Sequence, residues 1–235
     1  MQEIRRSAER GHANHGWLES RHSFAFADYF DPEHVEFGPL RVINEDRVQP
    51  GAGFGTHGHR EMEIISYVLA GELAHRDSIG NGSVIRPGDV QRMSAGSGIR
   101  HSEFNPSRTD PVHFLQIWIQ PNTREIGPSY EEKRFGTGEK RGRLRLIASP
   151  ERDAGSLLIH QDVRVYAGLF DGVERADLEV APRRRIYLHV ARGAVTAGGT
   201  RLEAGDALKL TDEATTLPIE SGRDAEVLAF DLPGA

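Results

Sequence analysis

No stretch of this chain keeps a helical period of apolar residues beyond two turns. It runs instead in short segments rich in β-branched and aromatic residues, among them Ile64 to Leu69, Val112 to Ile119, Arg185 to Val190 and Glu226 to Leu232. A side chain branched at Cβ is crowded by the preceding turn of a helix and packs well on a pleated surface, so such runs read as strands. Turn signals punctuate them: Asn81-Gly82, Pro87-Gly88, Gly96-Ser97-Gly98 and Gly198-Gly199. With 26 Gly and 12 Pro in 235 residues, turns are plentiful. The expected class is all-β. Helix is expected only in short pieces near the N-terminus and in the middle, with Glu151 to Asp153 and the stretch around Pro128 to Lys133 as candidates.

The length allows one large β domain or two small ones. Composition shifts between Pro121 and Gly142, where Asn122, Thr123, Gly127, Pro128, Gly136 and Gly138 stand among dense charges, as a domain connection would. The flanking halves share a faint pattern of strand, Gly, strand and Gly-Asp. It reads Ile64 to Leu69, Gly71 and Gly88-Asp89 in one, and Ile186 to Val190, Gly193 and Gly205-Asp206 in the other. Internal duplication of a small β-barrel would produce this, with domains at 1–135 and 143–235.

Charge and composition remove several classes of function. Lys+Arg 29 against Asp+Glu 35 leaves a net charge of −6, so no wide basic surface is on offer and no direct nucleic-acid partner is expected. The absence of Cys excludes disulfides, thiolate metal sites and a thiol nucleophile, and fits a reducing compartment. No apolar run approaches the roughly 18 residues that span a bilayer. The N-terminus has no apolar segment behind its charges, so neither a membrane nor a secretory signal is expected, and the localisation read is cytoplasmic. No Gly-x-Ser-x-Gly elbow supports a serine hydrolase.

The chemistry concentrates in two Gly-rich clusters. One carries His57-Gly58-His59 followed by Glu61 and Glu63, the other His101-Ser102-Glu103. Successive strand residues point to opposite faces, so His57 and His59 share a face and so do His101 and Glu103. Two adjacent or opposed strands would bring three imidazoles and one carboxylate to one point, a shell for a divalent metal with positions left open. Isolated histidines read differently. His160 and His189, and the early His12, His15, His22 and His34, show no ligand spacing and read as structural, although His12 or His15 could edge a pocket. Arg183-Arg184-Arg185 reads as a solvated turn. Gln116 and Trp118 share one face of a strand, as barrel lining or as a pocket wall.

At these residues the chain resembles a family. Gly51, His57-Gly58-His59 and Glu63 are similar to the first cupin motif, and Gly88, Gly96, His101 and Asn105 to the second, stretched by two residues. Ser94 to Glu103 and the opening Arg10 to Pro32 resemble the pirin branch, and specifically the bacterial pirin-like quercetin 2,3-dioxygenases. The resemblance implies two tandem jelly-roll barrels packed face to face, with one metal in the first and none in the degenerate second. The ligands it implies are His57, His59, His101 and Glu103, whereas the general cupin pattern would take Glu63 in place of Glu103. Glu103 is preferred because it shares a strand face with His101, and Glu63 then packs or orients an imidazole.

The metal the resemblance implies is iron, and nickel, copper, manganese, cobalt or zinc would suit the same donors. The activity it implies is opening of a flavonol heterocycle, or attack on another enol, with O₂ and release of carbon monoxide. Glu103 would then be the general base. The alternative it implies is a redox-responsive iron protein acting through protein partners. A monomer is expected.

Overall fold

The structure, a computed structural model, describes residues 1–211 and 214–234 and is built almost wholly of strands. The first strand is β1 (Gln2–Arg5). There follow β2 (Gly11–Asn14), β3 (Leu18–His22), β4 (Leu40–Val48), β5 (Gly53–His59), β6 (Glu63–Ala70) and β7 (Leu73–Asp77). Next come β8 (Gly82–Ile85), β9 (Asp89–Ser94), β10 (Ile99–Phe104), β11 (Val112–Ile119) and β12 (Ser129–Arg134). The remainder is β13 (Leu144–Ser149), β14 (Leu157–Leu158), β15 (Arg164–Phe170), β16 (Ala176–Val180), β17 (Arg184–Ala197), β18 (Thr200–Glu203), β19 (Ala207–Thr211) and β20 (Thr215–Pro233). Described helix is limited to one turn, α1 (Thr137–Lys140), and 3₁₀ turns at Ser7–Glu9 and Asp153–Gly155.

Two compact units result. One holds Gly11–Arg134 together with Ile159–Gln161; the other holds Met1–Arg10, Phe135–Leu158 and the chain from Asp162 onward. This differs from a simple division within 121–142. β1 pairs with β19, so the first ten residues go with the second unit. Residues 159–161 join the first unit through backbone bonds such as Asn122 N–H to the His160 carbonyl at 2.8 Å.

The first unit comprises a seven-stranded sheet, β12-β9-β6-β11-β4-β3-β2, and a four-stranded sheet, β5-β10-β7-β8, antiparallel throughout. The sheets are separate ladders rather than one closed barrel. Apolar residues of both meet between them: Val48, Val68, Val112 and Phe114 from the larger, Leu73 and Ile85 from the smaller. The second unit is one nine-stranded sheet around Ile186, Leu188, Val190, Leu208, Val227 and Ala229. Its runs expected at Arg185 to Val190 and Glu226 to Leu232 lie inside the much longer β17 and β20, whose pairing register shifts at Val190/Arg192, Arg192/Ala194 and Ala194/Thr196. Such bulges let one strand bend enough to serve two stretches of sheet.

Two local expectations are corrected. Pro128 to Lys133 is not helical; it is the edge strand β12, paired to β9 from Ser129↔Ser94 to Arg134↔Asp89. The buried Arg92 explains why tertiary pairing prevails there, since it reaches Ser129 Oγ at 2.7 Å and Glu131 at 3.2 Å. The short helix expected at Glu151 to Asp153 is instead a 3₁₀ turn at Asp153–Gly155.

Candidate metal centre

β10 lies between β5 and β7, and pairing sets the site. His101 is directly opposite His57, while Glu103 is opposite Phe54 after a bulge between His101 and Glu103. The three imidazoles meet: ring centroids are 4.5 Å apart for His57 and His101, 4.7 Å for His57 and His59, and 4.9 Å for His59 and His101. One ring nitrogen from each lies within 4.8 Å of the others. Glu103 belongs to an adjoining group, with His75 and His101, whose donors satisfy the same limit. His101 is common to both.

His57 and His59 come into place by close backbone approach. Any Cβ on Gly53 would strike the Glu103 carbonyl and Phe104 across the ladder. Gly96, at φ +47°, lets the turn before β10 fold against Ile126, whose carbonyl a Cβ would also meet.

Hydrogen bonds fix one ring. A carbonyl oxygen only accepts, so His57 Nδ1 donates to the Gly55 carbonyl at 2.8 Å, which leaves Nε2 as the ring atom turned toward the other imidazoles. His57 Nε2 faces His101 Nε2 at 3.1 Å. Burial, then the neighbouring His57, push His59 down to about 4; burial, then His57 and His59, push His101 down to about 3. Both rings are neutral at pH 7, the form a metal ion requires.

Glu103 is fully buried, accepting from Ser66 Oγ at 3.0 Å and Gln116 Nε2 at 2.7 Å. Burial lifts it to about 7, with Ser66 working against the rise and Asp46 adding to it. Its supporters belong to a polar row across the larger sheet. Register places His22 beside Asn44, Asn44 beside Gln116, Gln116 beside Ser66 and Ser66 beside Gln91, all buried. Trp118 Nε1 donates to Gln116 Oε1 at 3.3 Å, which aims the amide nitrogen at Glu103.

A cavity of about 680 Å³ opens beside this cluster, its wall including His57, His59, Trp118, Phe26, Trp17 and Asp46. Trp118 packs edge-on against His59 at 4.9 Å and against Phe26 at 5.5 Å. Gln116, His12, His15 and His22 also border it, whereas His34 is bonded to Asp31 at 3.0 Å. Asp46 accepts from Ser20 and is lifted to about 7, by burial first, with the Ser20 bond opposing and Glu45 adding.

Glu63 points elsewhere. It accepts from Ser94 Oγ at 2.8 Å and lies 3.0 Å from His160 Nδ1, so the imidazole it orients is that of His160. Sequence reasoning misses His75, Asp77, Ser66, Gln91, Asn44 and Asp46. A signal exists for three of them: His75-Arg76-Asp77 repeats the spacing of His57-Gly58-His59 and His101-Ser102-Glu103. For Ser66 the signal is a hydroxyl within the apolar run Ile64 to Leu69.

A sandwich of antiparallel strands holding converging imidazoles, with a carboxylate on the same strand as one of them, is a cupin-type metal centre in its donor chemistry. Comparison with known proteins agrees. The Pirin family model matches residues 3–119, and a quercetinase C-terminal cupin domain model matches 146–232. The chain is 46% identical over 230 residues to the quercetin 2,3-dioxygenase of Escherichia coli K12, covering 98% of both. It is 44% identical to a putative quercetin 2,3-dioxygenase of Pseudomonas aeruginosa, covering 94% of this chain and 95% of that one. The crystal structure of the Escherichia coli bacterial pirin YhhW in complex with nickel(II) superposes with a TM-score of 0.94 at 46% identity, covering 100% of both chains. The chain belongs to the pirin family.

Proposed function

We propose that this protein is a metal-dependent dioxygenase that opens the heterocycle of a flavonol such as quercetin, with both atoms of O₂ entering the products and one carbon leaving as carbon monoxide. The observation that carries the reading is the convergence of three imidazoles beside an aromatic-lined cavity large enough for a polyphenol. Names of relatives similar over nearly the whole chain support it.

The residues that would hold the ion are His57, His59, His101 and Glu103. They fit a single divalent first-row cation: burial keeps His59 and His101 neutral, and His57 Nε2 and His101 Nε2 face each other at 3.1 Å. Iron is the ion the family resemblance implies, and a solved relative is in complex with nickel(II). When bound, the cation supplies Lewis acidity toward an enolic hydroxyl and reactivity toward O₂.

The chain does the rest. Trp118, Phe26 and Trp17 form apolar walls that exclude water and offer ring edges and faces to a planar aromatic substrate. Glu103 titrates near neutrality, so it can take the enolic proton of the substrate as general base. Ser66 and Gln116 hold its two oxygens, leaving lone pairs on each for the cation or that proton.

Elemental analysis of protein purified without a histidine tag, followed by incubation with quercetin, tests the proposal. Stoichiometric metal, loss of the quercetin absorption only in air, and carbon monoxide in the headspace are expected. Turnover indifferent to O₂ would reject it.

A further inference from the structure

The cavity beside the imidazoles has a polar stretch of wall that the chemistry above leaves unused. The inner face of the larger sheet is apolar at Val48, Val68, Val112 and Phe114, yet two buried polar side chains interrupt it on β4, Asn44 and Asp46. Two residues apart on one strand, they share a face, and both line the cavity. We propose that Asn44 and Asp46 are the specificity-determining pair of this cavity, receiving a phenolic hydroxyl carried on the substrate's rings away from the enol. The inference rests on the proposed flavonol reading and names the flavonols it favours, those hydroxylated on their rings.

Spare hydrogen-bonding capacity singles out this pair. Asn44 is 3% exposed, and its Oδ1 has no hydrogen-bond partner. Asp46, also 3% exposed, accepts from Ser20 Oγ at Oδ1 and enters no ion pair among the described residues, so Oδ2 has room for a further partner. Its neighbour Glu45, on the opposite face of β4, is by contrast met by His113 at 2.9 Å and by Arg47 at 2.9 Å. Burying a polar group without a partner is unfavourable, and a ligand that brings a hydroxyl into the cavity supplies the missing one. A hydroxyl both donates and accepts, so it pairs with either end of the Asn44 amide, and with Asp46 whether that group is a carboxylate or an acid.

Register puts the pair within a substrate's reach. Asn44 is opposite Gln116 of β11, the side chain that holds Glu103. Neighbouring strands lie about 4.8 Å apart, so Asn44 is one such step beyond Gln116. Asp46 is two residues farther along β4, opposite Ser20 of β3. A planar molecule longer than that step, with its enol at His57 and His59, extends its rings toward the pair. A site built to hydrogen-bond a hydroxyl discriminates against the analogue that lacks it, because its own polar groups are then left unpaired.

Both tryptophans of the chain, Trp17 and Trp118, line the cavity, so quenching of their fluorescence reads binding without turnover. Measured anaerobically on the full chain, quercetin should bind about 10-fold more tightly than 3-hydroxyflavone, which keeps the enol and lacks every other hydroxyl. Galangin has no hydroxyl on the pendant ring, and 3,3′,4′-trihydroxyflavone has none on the fused ring. A preference lost with one of these supports the pair and identifies the ring that reaches it. Asn44→Leu and Asp46→Leu, close in shape and apolar, should each weaken quercetin binding toward that of 3-hydroxyflavone, a selective loss that a general disturbance of the cavity would not produce.

Equal affinity of the parent for quercetin and 3-hydroxyflavone, or a preference that survives in both variants, overturns the inference; the first comparison decides even where a variant does not fold. Discrimination without oxygen-dependent turnover keeps the pair and removes the dioxygenase reading. Turnover without discrimination does the reverse, and no quenching by any of the four flavonols removes both.

Discussion

Glu63 and Glu103 differ in their side-chain partners. Glu63 and Glu103 are both fully buried, but Glu63 is occupied by Ser94 and His160 while Glu103 shares a donor group with His101. Glu103→Gln is expected to lower metal affinity by more than the roughly 10–100-fold typical of an outer partner. Glu63→Gln should leave metal occupancy intact and cost on the order of 1–3 kcal/mol of stability through its mismatched partners; equilibrium dialysis and chemical denaturation separate the two. The same buried groups predict a pH profile for the metal-free protein. His59 and His101, at about 4 and about 3 when folded, bind protons more readily unfolded, so their effect is a loss of stability as pH falls below 6.5. Glu103 and Asp46, raised to about 7, bind protons more readily folded; their contribution is full below the ordinary carboxylate range and is lost as pH rises through 7. The effects oppose between about 4.5 and 6.5, giving a flat optimum with losses on either side. Denaturation midpoints from pH 4 to 8 check this, and saturating metal should flatten the alkaline loss by holding Glu103 ionised.

Strands place these residues, so strand contacts far from the donors matter to them. Gly53 is where β5 passes closest to β10, with the Glu103 carbonyl and Phe104 in the space a methyl would need. Gly53→Ala is expected to push β5 outward, costing about 1–3 kcal/mol and weakening metal binding together with it; a variant that loses stability alone would show that the His57-bearing strand adjusts freely. The strands most legible in the sequence, β6 and β11, are buried almost throughout and therefore read as near-continuous apolar runs. β12 is not legible. Its residues are half-buried to exposed with no apolar periodicity, and it becomes a strand because β9 offers an unpaired edge and Arg92 an anchor. β7 escapes sequence reasoning for a different reason: His75-Arg76-Asp77 has the pincer spacing, but its meaning depends on β7 lying beside β10.

For the molecule as a whole, division into two compact units predicts uneven sensitivity to metal. Both donor groups identified among the described residues fall between His57 and Glu103, inside the first unit. Chelation should lower the melting temperature of that unit and spare the other; at a free metal concentration about 100 times Kd, the stabilisation lost is about 2.7 kcal/mol. Calorimetry with and without chelator would show one transition moving and one fixed. The sequence by itself determined the all-β class, the two-part organisation and the histidine pincers, because turn chemistry, strand alternation and ligand spacing are local properties of the chain. Tertiary structure decided which strand edges meet: it set β7 beside β10, laid the polar row of Asn44, Gln116, Ser66 and Gln91 under Glu103, and turned Glu63 toward His160. Those pairings join residues tens of positions apart, and the protonation of a buried group follows from neighbours that only such pairing supplies.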